Sequence, residues 1–204
     1  MTEDIQQKVL DFWFGEPGSE EHGTFRTIWF RGRTPEFDQE IRDGFMEIHE
    51  KAAGGELDHW METKEGCLAL CILLDQFPRN MFRMTPRAFA TDAKAREVAK
   101  HAVANKWDEE VSAIERHFFY LPYEHSEELA DLDAVTELAP KTGRERTAKA
   151  VAEHRDLIVR FGRYPHRNEI LGRESTPEEI EHMKNGGKNF GQGATPDPIP
   201  DDDD

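Results

Sequence analysis

Apolar residues recur at the three- and four-residue spacing of an α-helix along almost the whole chain. Phe37, Ile41 and Phe45 form one such stripe. It begins at Thr34-Pro35, where Thr is a favourable N-cap and Pro a favourable first residue. No stretch shows the sustained two-residue alternation that is typical of a half-buried strand. The sequence therefore predicts an all-α fold.

Turn signals divide the apolar pattern into short helices with short connections, which favours antiparallel helical hairpins. The segment from Gly66 to Phe77 is apolar on all sides, so we expect it to be the central buried helix. Pro78 should end this helix, and Pro122 should end a later one. Such hairpins stack either into a tetratricopeptide-like superhelix or into a compact bundle, and no clean repeat of tetratricopeptide length is present.

The chain has 204 residues, enough for one domain with a sizeable core. We expect a single helical domain over residues 1–185 and a disordered tail over residues 186–204, where Gly, Pro and Asp dominate. The acidic start lacks the apolar segment of a signal peptide, and no run is apolar enough to span a membrane. Cys67 and Cys71 lie four apart within an apolar helix, a spacing that favours buried free thiols. These features predict a cytoplasmic protein.

The net charge is -16, which argues against nucleic acid and against an anionic membrane surface as partners. Three segments, residues 74–80, 121–127 and 161–168, are nevertheless rich in polar side chains, and five arginines lie in or beside the first and third: Arg79, Arg83, Arg87, Arg163 and Arg167. A basic pocket in an acidic protein would select small anions and repel polyanions. The expected partner is therefore a small anionic molecule or a peptide terminus. The oligomeric state is not defined by the sequence.

The first and third segments contain the same order of residues, an aromatic residue, Pro and then Arg-Asn, in residues 77–80 and 164–168. Proline fixes a turn, from which Arg can bind a carboxylate or phosphate through two hydrogen bonds. We therefore predict a site at which the three segments converge. The predicted ligand-binding residues are Asp75, Arg79, Asn80, Arg83, Tyr123, Arg163, Arg167 and Asn168. Four of these are Arg, more than Asp75 and Glu124 can neutralise, so a surplus positive potential is expected.

Glu124, His125 and His166 are the candidates for acid–base catalysis, because a carboxylate and imidazoles can share proton transfer near neutral pH. The alternative is that Glu124 and His125 only cap and turn the chain. His117, His125 and His166 with Glu124 could hold a metal ion, but no His-Glu-x-x-His or Cys-x-x-Cys motif supports one, so no metal site is predicted. No cofactor is expected, since there is no glycine-rich phosphate loop and no Gly-x-Ser-x-Gly elbow.

The same segments resemble a known family. Phe12-Trp13-Phe14, Trp29-Phe30 and three longer blocks are similar to the bacterial family called domain of unknown function 924. The blocks are residues 74–83 with 85–90, residues 120–127, and residues 160–168 with 171–179. The resemblance covers about residues 5–184 and implies an all-helical fold similar to tetratricopeptide-like superhelices. It implies no activity. Met84 stands where the first block is expected to have Gly.

Three functions remain open from the sequence. The first is a pocket for a small anion or a carboxylate-bearing substrate, to which the acid–base candidates would add enzymatic potential. The second is a tetratricopeptide-like module that binds a peptide or protein. In the third, the motifs are structural clamps, in which Asp75 and Glu124 pair with the arginines and connect helices.

Overall fold

A computed structural model describes residues 5–29 and 34–192. In these residues the regular structure is helical and contains no strand, so the all-α prediction is confirmed. The helices are α1 (Ile5–Phe14), α2 (Pro35–Ala53), α3 (Lys64–Cys71), α4 (Phe77–Met81), α5 (Asp92–Ala104), α6 (Ala113–Glu124), α7 (Leu129–Leu138), α8 (Glu145–Phe161) and α9 (Pro177–Lys184). None of them combines the length and hydrophobicity that a membrane-crossing helix requires. Phe30 and residues 193–204 of the predicted tail lie outside the described residues.

Helix α3 lies at the centre of the fold and packs against α1, α5 and α6. Its residues from Gly66 onward are all buried, as the apolar pattern predicted. Gly66 is required, because a Cβ at this position would lie 2.1 Å from the carbonyl oxygen of Trp60. Helices that follow one another in the sequence also pack together, α5 on α6, α6 on α7 and α7 on α8. The tetratricopeptide-like superhelix stays a prediction.

The prediction that Pro78 ends the central helix is wrong. Helix α3 continues through a π-helical segment, Ile72–Gln76, into α4, which contains Pro78. In this segment the Phe77 amide bonds to the carbonyl of Ile72, five residues back, so the carbonyl of Leu73 is released. Pro78 has no N–H, which leaves the carbonyl of Leu74 without a helical donor. Side chains from other helices satisfy both carbonyls, and the helix therefore passes the proline.

The two donors come from α2 and from the turn before α5. His49 Nδ1 lies 2.9 Å from the Leu73 oxygen, and Thr91 Oγ1 donates to the Leu74 oxygen at 2.6 Å. Pro122 likewise does not end α6, which runs on to Glu124. There, every residue from Phe118 to Glu124 is buried, and burial outweighs one missing hydrogen bond.

Helix α9 is attached to the end of α8 by one buried carboxylate, Glu179. Thr176 and Glu179 form a capping box at the start of α9. Glu179 also accepts hydrogen bonds from Arg163 Nε at 2.6 Å, Arg163 Nη2 at 2.7 Å and Asn168 Nδ2 at 3.2 Å. The Glu179 side chain is 2% exposed, so these donors replace its lost hydration.

Residues 188–192, which belong to the predicted tail, pack on the domain. Lys188 pairs with Glu153 at 2.7 Å, and the ring of Phe190 lies 3.8 Å from that of His154. Gln192 is buried. The Gly, Pro and Asp of the tail indicated disorder, but a single aromatic residue and a charged pair hold this short segment on the domain.

We expect Glu179→Gln to destabilise the fold by about 1.5–3 kcal/mol at pH 7, the net value of a hydrogen bond to a charged group. Hydrogen bonds from Arg163 lower the pKa of Glu179 to about 2. Its stabilisation is therefore present above the unfolded pKa and is lost as the pH falls toward 2. Urea unfolding at pH 7 and pH 3 measures both effects.

The neighbouring Glu178 provides the matched control. Its side chain is 62% exposed and pairs with Arg160 at 2.9 Å. Glu178→Gln should change the free energy of unfolding by less than about 1 kcal/mol, as for other surface pairs. Equal effects of the two substitutions would contradict the anchoring role of Glu179.

Candidate functional site

The three predicted segments meet in one buried network, formed by Asp75, Arg79, Asp92, His125 and Arg167. Arg79 Nη1 lies 3.1 Å from Asp75 Oδ1 and donates to Asp92 Oδ1 at 2.9 Å, while its Nη2 donates to Asp92 Oδ2 at 3.0 Å. Arg167 Nη1 reaches Asp92 Oδ2 at 3.4 Å and the carbonyl of His125 at 3.1 Å. The predicted convergence of the three segments is confirmed. Asp75 pairs with Arg79, whereas the carboxylate of Glu124 lies beside His154.

Asp75 and His125 form the centre of this network. Nδ1 of His125 lies 2.8 Å and 3.0 Å from the two carboxylate oxygens of Asp75, and the Gln76 amide also donates to Asp75. Burial alone would raise the pKa of Asp75, but Arg79 and then His125 outweigh it and hold the pKa below its usual value. Because an ionised carboxylate only accepts hydrogen bonds, His125 Nδ1 carries the proton in this pair.

The pKa of His125 is lowered in spite of its carboxylate partner. Burial is the largest cause, and the positive charge of Arg79 is the next. The imidazole is therefore neutral at pH 7. Its contact with Asp75 is a hydrogen bond from neutral histidine rather than an ion pair. With Nδ1 protonated, Nε2 carries the lone pair and is the acceptor atom of the ring.

A small cavity of about 50 Å³ lies beside the network. Its polar lining comes from the π-helical segment, α4 and the turn after it, the end of α6 and the segment 188–192: Gln76, Arg79, Asn80, Arg83, His125 and Gln192. Aromatic rings of Phe89 and Phe190 form apolar walls. A water molecule needs about 10–15 Å³ by this measure, so the cavity holds roughly four water-sized bodies. That volume corresponds to a carboxylate or phosphate group.

Two guanidinium atoms of the network lack partners among the described residues. Nε of Arg79 and Nη2 of Arg167 are buried and have no hydrogen-bond acceptor there. A buried donor without an acceptor costs about 1–3 kcal/mol. Both guanidinium groups also lie over the ring of Phe89, at 5.7 Å and 4.6 Å from its centroid. The arginines are thus held in place with hydrogen-bonding capacity left over.

The other predicted site residues are distributed over neighbouring contacts. Arg83 and Asn80 line the cavity and both bind Asp38, Arg83 through two hydrogen bonds of 2.8 Å and 2.7 Å. His166 Nε2 lies 3.2 Å from Gln192 Oε1. Seven predicted residues do not line the cavity: Asp75 and Arg167, which belong to the network beside it, and Tyr123, Glu124, Arg163, His166 and Asn168.

The expected surplus of arginine over carboxylate is wrong. Each of the four predicted arginines has a carboxylate partner, and three of these partners had not been predicted: Asp38, Asp92 and Glu179. Asp38 is 45 residues from Arg83 in the sequence, and Asp92 is 75 residues from Arg167. The only local signal of Asp92 and Glu179 was helix capping, which gave no indication of a long-range pair. Gln192 was missed because it lies in the segment assigned to the tail.

Comparison with known proteins agrees with this architecture. The structure of a protein of unknown function, ATU0120 from Agrobacterium tumefaciens, is similar to this chain with a TM-score of 0.79 and 41% sequence identity. The similarity covers 89% of this chain and 98% of that one. No curated protein matches the chain. Residues 9–187 match the family described as bacterial protein of unknown function (DUF924), and the chain therefore belongs to this family.

Proposed function

We propose that the cavity binds a small anion, either a free carboxylate or phosphate ion or such a group on a small substrate. The observation that carries the proposal is Arg79, which lines a cavity of this size and has a buried Nε–H without an acceptor among the described residues. Side-chain amides of Gln76, Asn80 and Gln192 lie on the same walls. Guanidinium and amide groups are the usual side-chain donors to oxyanions.

Binding would depend on directed hydrogen bonds rather than on excess positive charge. Arg79, Arg83 and Arg167 are balanced by three carboxylates, so the local net charge is near zero. A hydrogen bond to a charged group contributes about 1.5–3 kcal/mol. After the cost of ordering the ligand, two such bonds support a Kd in roughly the millimolar to micromolar range.

The ion pairs themselves favour a second candidate function, a purely structural one. In it, Asp92 clamps Arg79 and Arg167, while Asp38 clamps Arg83, and the network only connects helices. The peptide-binding alternative has less support at this site, because a cavity of about 50 Å³ does not hold a peptide segment. In either function, two free, buried cysteines are compatible with a cytoplasmic, reducing location.

Glu124 lies next to this site but does not add negative charge to it at neutral pH. Burial, followed by the charges of Asp75 and Glu153, raises the pKa of Glu124 to about 8. One of its oxygens lies 3.0 Å from His154 Nδ1, and the other is buried without a partner among the described residues. In this proposal Glu124 is a neutral carboxylic acid next to the site at pH 7. It repels a bound anion only after it ionises.

We expect acetate, malonate or phosphate to raise the Tm of the wild-type protein, with sodium chloride at equal ionic strength as the reference. An anion at ten times its Kd adds about 1.4 kcal/mol, which corresponds to roughly 3–6 °C. Gln192→Glu should abolish this shift, because it places a carboxylate on the cavity wall. The variant should fold, since Gln192 already accepts from Arg167 Nε at 3.1 Å.

Gln39→Glu is the matched control, because exposed Gln39 accepts from Arg42 Nε at 3.2 Å in the same way. It should respond to the anion as the wild type does. If no anion raises the Tm of the wild type, or if the Tm of Gln192→Glu rises equally, the anion-binding function is wrong and the structural function is supported.

We expect Glu124→Gln to be more stable than the wild type at pH 9 by about 1–3 kcal/mol, the cost of an unsatisfied buried polar group. A carboxyl whose folded pKa exceeds its unfolded pKa binds an extra proton on folding. Its stabilisation is therefore full below the unfolded pKa and is lost as the pH rises through about 8. Urea unfolding at pH 5, 7 and 9 should show curves that converge at pH 5.

Glu137→Gln, on the exposed face of α7, should leave the pH dependence of the wild type unchanged. If Glu124→Gln is less stable than the wild type at pH 9, then ionised Glu124 has a partner in the fold and stabilises it.

A further inference from the structure

We propose that the pocket takes up one proton together with its anion, and that Nε2 of His125 is the atom that receives it. This inference rests on the proposed anion site and specifies its ligand class. The ligand is a small weak acid, bound as its anion beside an imidazolium. Either the neutral acid enters and transfers its proton to Nε2, or the anion enters and the proton comes from solvent. Both routes give the same bound pair.

The geometry fixes which nitrogen can accept the proton. Asp75 holds His125 through Nδ1, so that the ring presents Nε2 as its free acceptor. Nε2 has no hydrogen-bond partner among the described residues, and His125 lines the cavity. Asp75 itself is fixed by Arg79 and Gln76. A histidine oriented by a buried carboxylate, with its other nitrogen directed to a polar site, is the arrangement that proton acceptors require.

Burial and the charges around His125 explain why the ring is neutral without a ligand. Three charged groups act on it: Asp75 from the π-helical segment, Arg79 from α4 and Arg167 from the turn after α8. Two further carboxylates lie nearby and are ion-paired, Asp92 on α5 with Arg79 and Arg167, and Glu127 with Arg173. The remaining nearby titratable groups are uncharged at neutral pH: His117 and Glu124 on α6, His154 on α8 and His166 beside Arg167. Arg79 and Arg167 act against Asp75 and, one contact further from the ring, Asp92, so burial is the largest cost of placing a further positive charge on His125.

A bound anion would offset this cost. It adds a further negative charge in the cavity, and the protonated Nε2 can then donate a hydrogen bond to it. His125 is also the C-cap of α6, where the helix dipole favours a positive charge. By linkage, an anion that favours the imidazolium must bind more tightly as the pH falls. The limit is about one tenfold change in Kd for each pH unit, because a single group is protonated.

The test is isothermal titration of the full-length protein with acetate, or with sulfate if acetate does not raise the Tm. Neither anion titrates between about pH 6 and pH 8, so any proton taken up belongs to the protein. At pH 7, the binding enthalpy is compared in two buffers that differ in ionisation enthalpy. We expect a difference that corresponds to nearly one proton, and a Kd that rises with pH.

Two variants assign the proton. His125→Asn keeps a side-chain N–H for Asp75 but cannot be protonated, so it should bind the anion more weakly, without proton uptake and without pH dependence. Glu124→Gln removes the other group that titrates near neutral pH, and its proton uptake should equal that of the wild type.

Failure of this inference differs from failure of the anion site. If neither anion binds and none of acetate, malonate and phosphate raises the Tm, the proposed function itself is wrong. If an anion binds to the wild type without proton uptake, or if uptake persists in His125→Asn, the anion site stands and His125 is not its proton acceptor. The wild-type measurement alone is sufficient to overturn the inference, so the test does not depend on the folding of a variant.

Discussion

The buried carboxylate of Asp75 is the group around which the polar centre is organised. An ionised carboxylate at this depth costs several kcal/mol unless charges and hydrogen bonds replace its hydration. Arg79, His125 and Gln76 provide this replacement. Arg79 then needs a second acceptor, which Asp92 supplies. The convergence of distant segments therefore follows from neutralising one charge, because each partner brings a further group that must be satisfied in turn.

The backbone that carries Asp75 is itself irregular, because Asp75 lies in the π-helical segment. A π-helical segment in the middle of a buried helix shifts the residues after it and leaves carbonyls to be bonded from outside. His49 and Thr91 satisfy these carbonyls and thereby connect α2 and the start of α5 to the central helix. Such segments occur frequently at functional sites. Here the segment places a carboxylate and an amide side by side within a helix that is otherwise apolar.

Helix positions followed from the sequence because periodicity and capping are local. Thr176 with Glu179 and Thr34 with Pro35 mark helix starts that the structure contains. The two helix ends predicted from proline were wrong. Proline disfavours the interior of a helix, but tertiary hydrogen bonds and burial override this local preference here. Much of the site could also be predicted, because arginine, histidine and asparagine beside aromatic-proline turns are unusual. Its partners could not, since a carboxylate that caps a helix and one that pairs across the fold look alike in the sequence.

A purely structural network would account for the ion pairs but not for their surroundings. Buried ion pairs contribute little net stability compared with well-packed apolar side chains. Stability alone therefore gives no reason to concentrate Asp75, Arg79, Asp92 and Arg167 at one place. Nor does it explain why Arg79 lines a cavity while one of its donors has no acceptor among the described residues. A site for an anion explains both features.

An anion site also explains the arrangement of His125. Asp75 orients the ring through Nδ1, while Nε2 has no hydrogen-bond partner among the described residues. The neutral ring completes a balanced set of charges, and one further negative charge is what would convert it to the imidazolium.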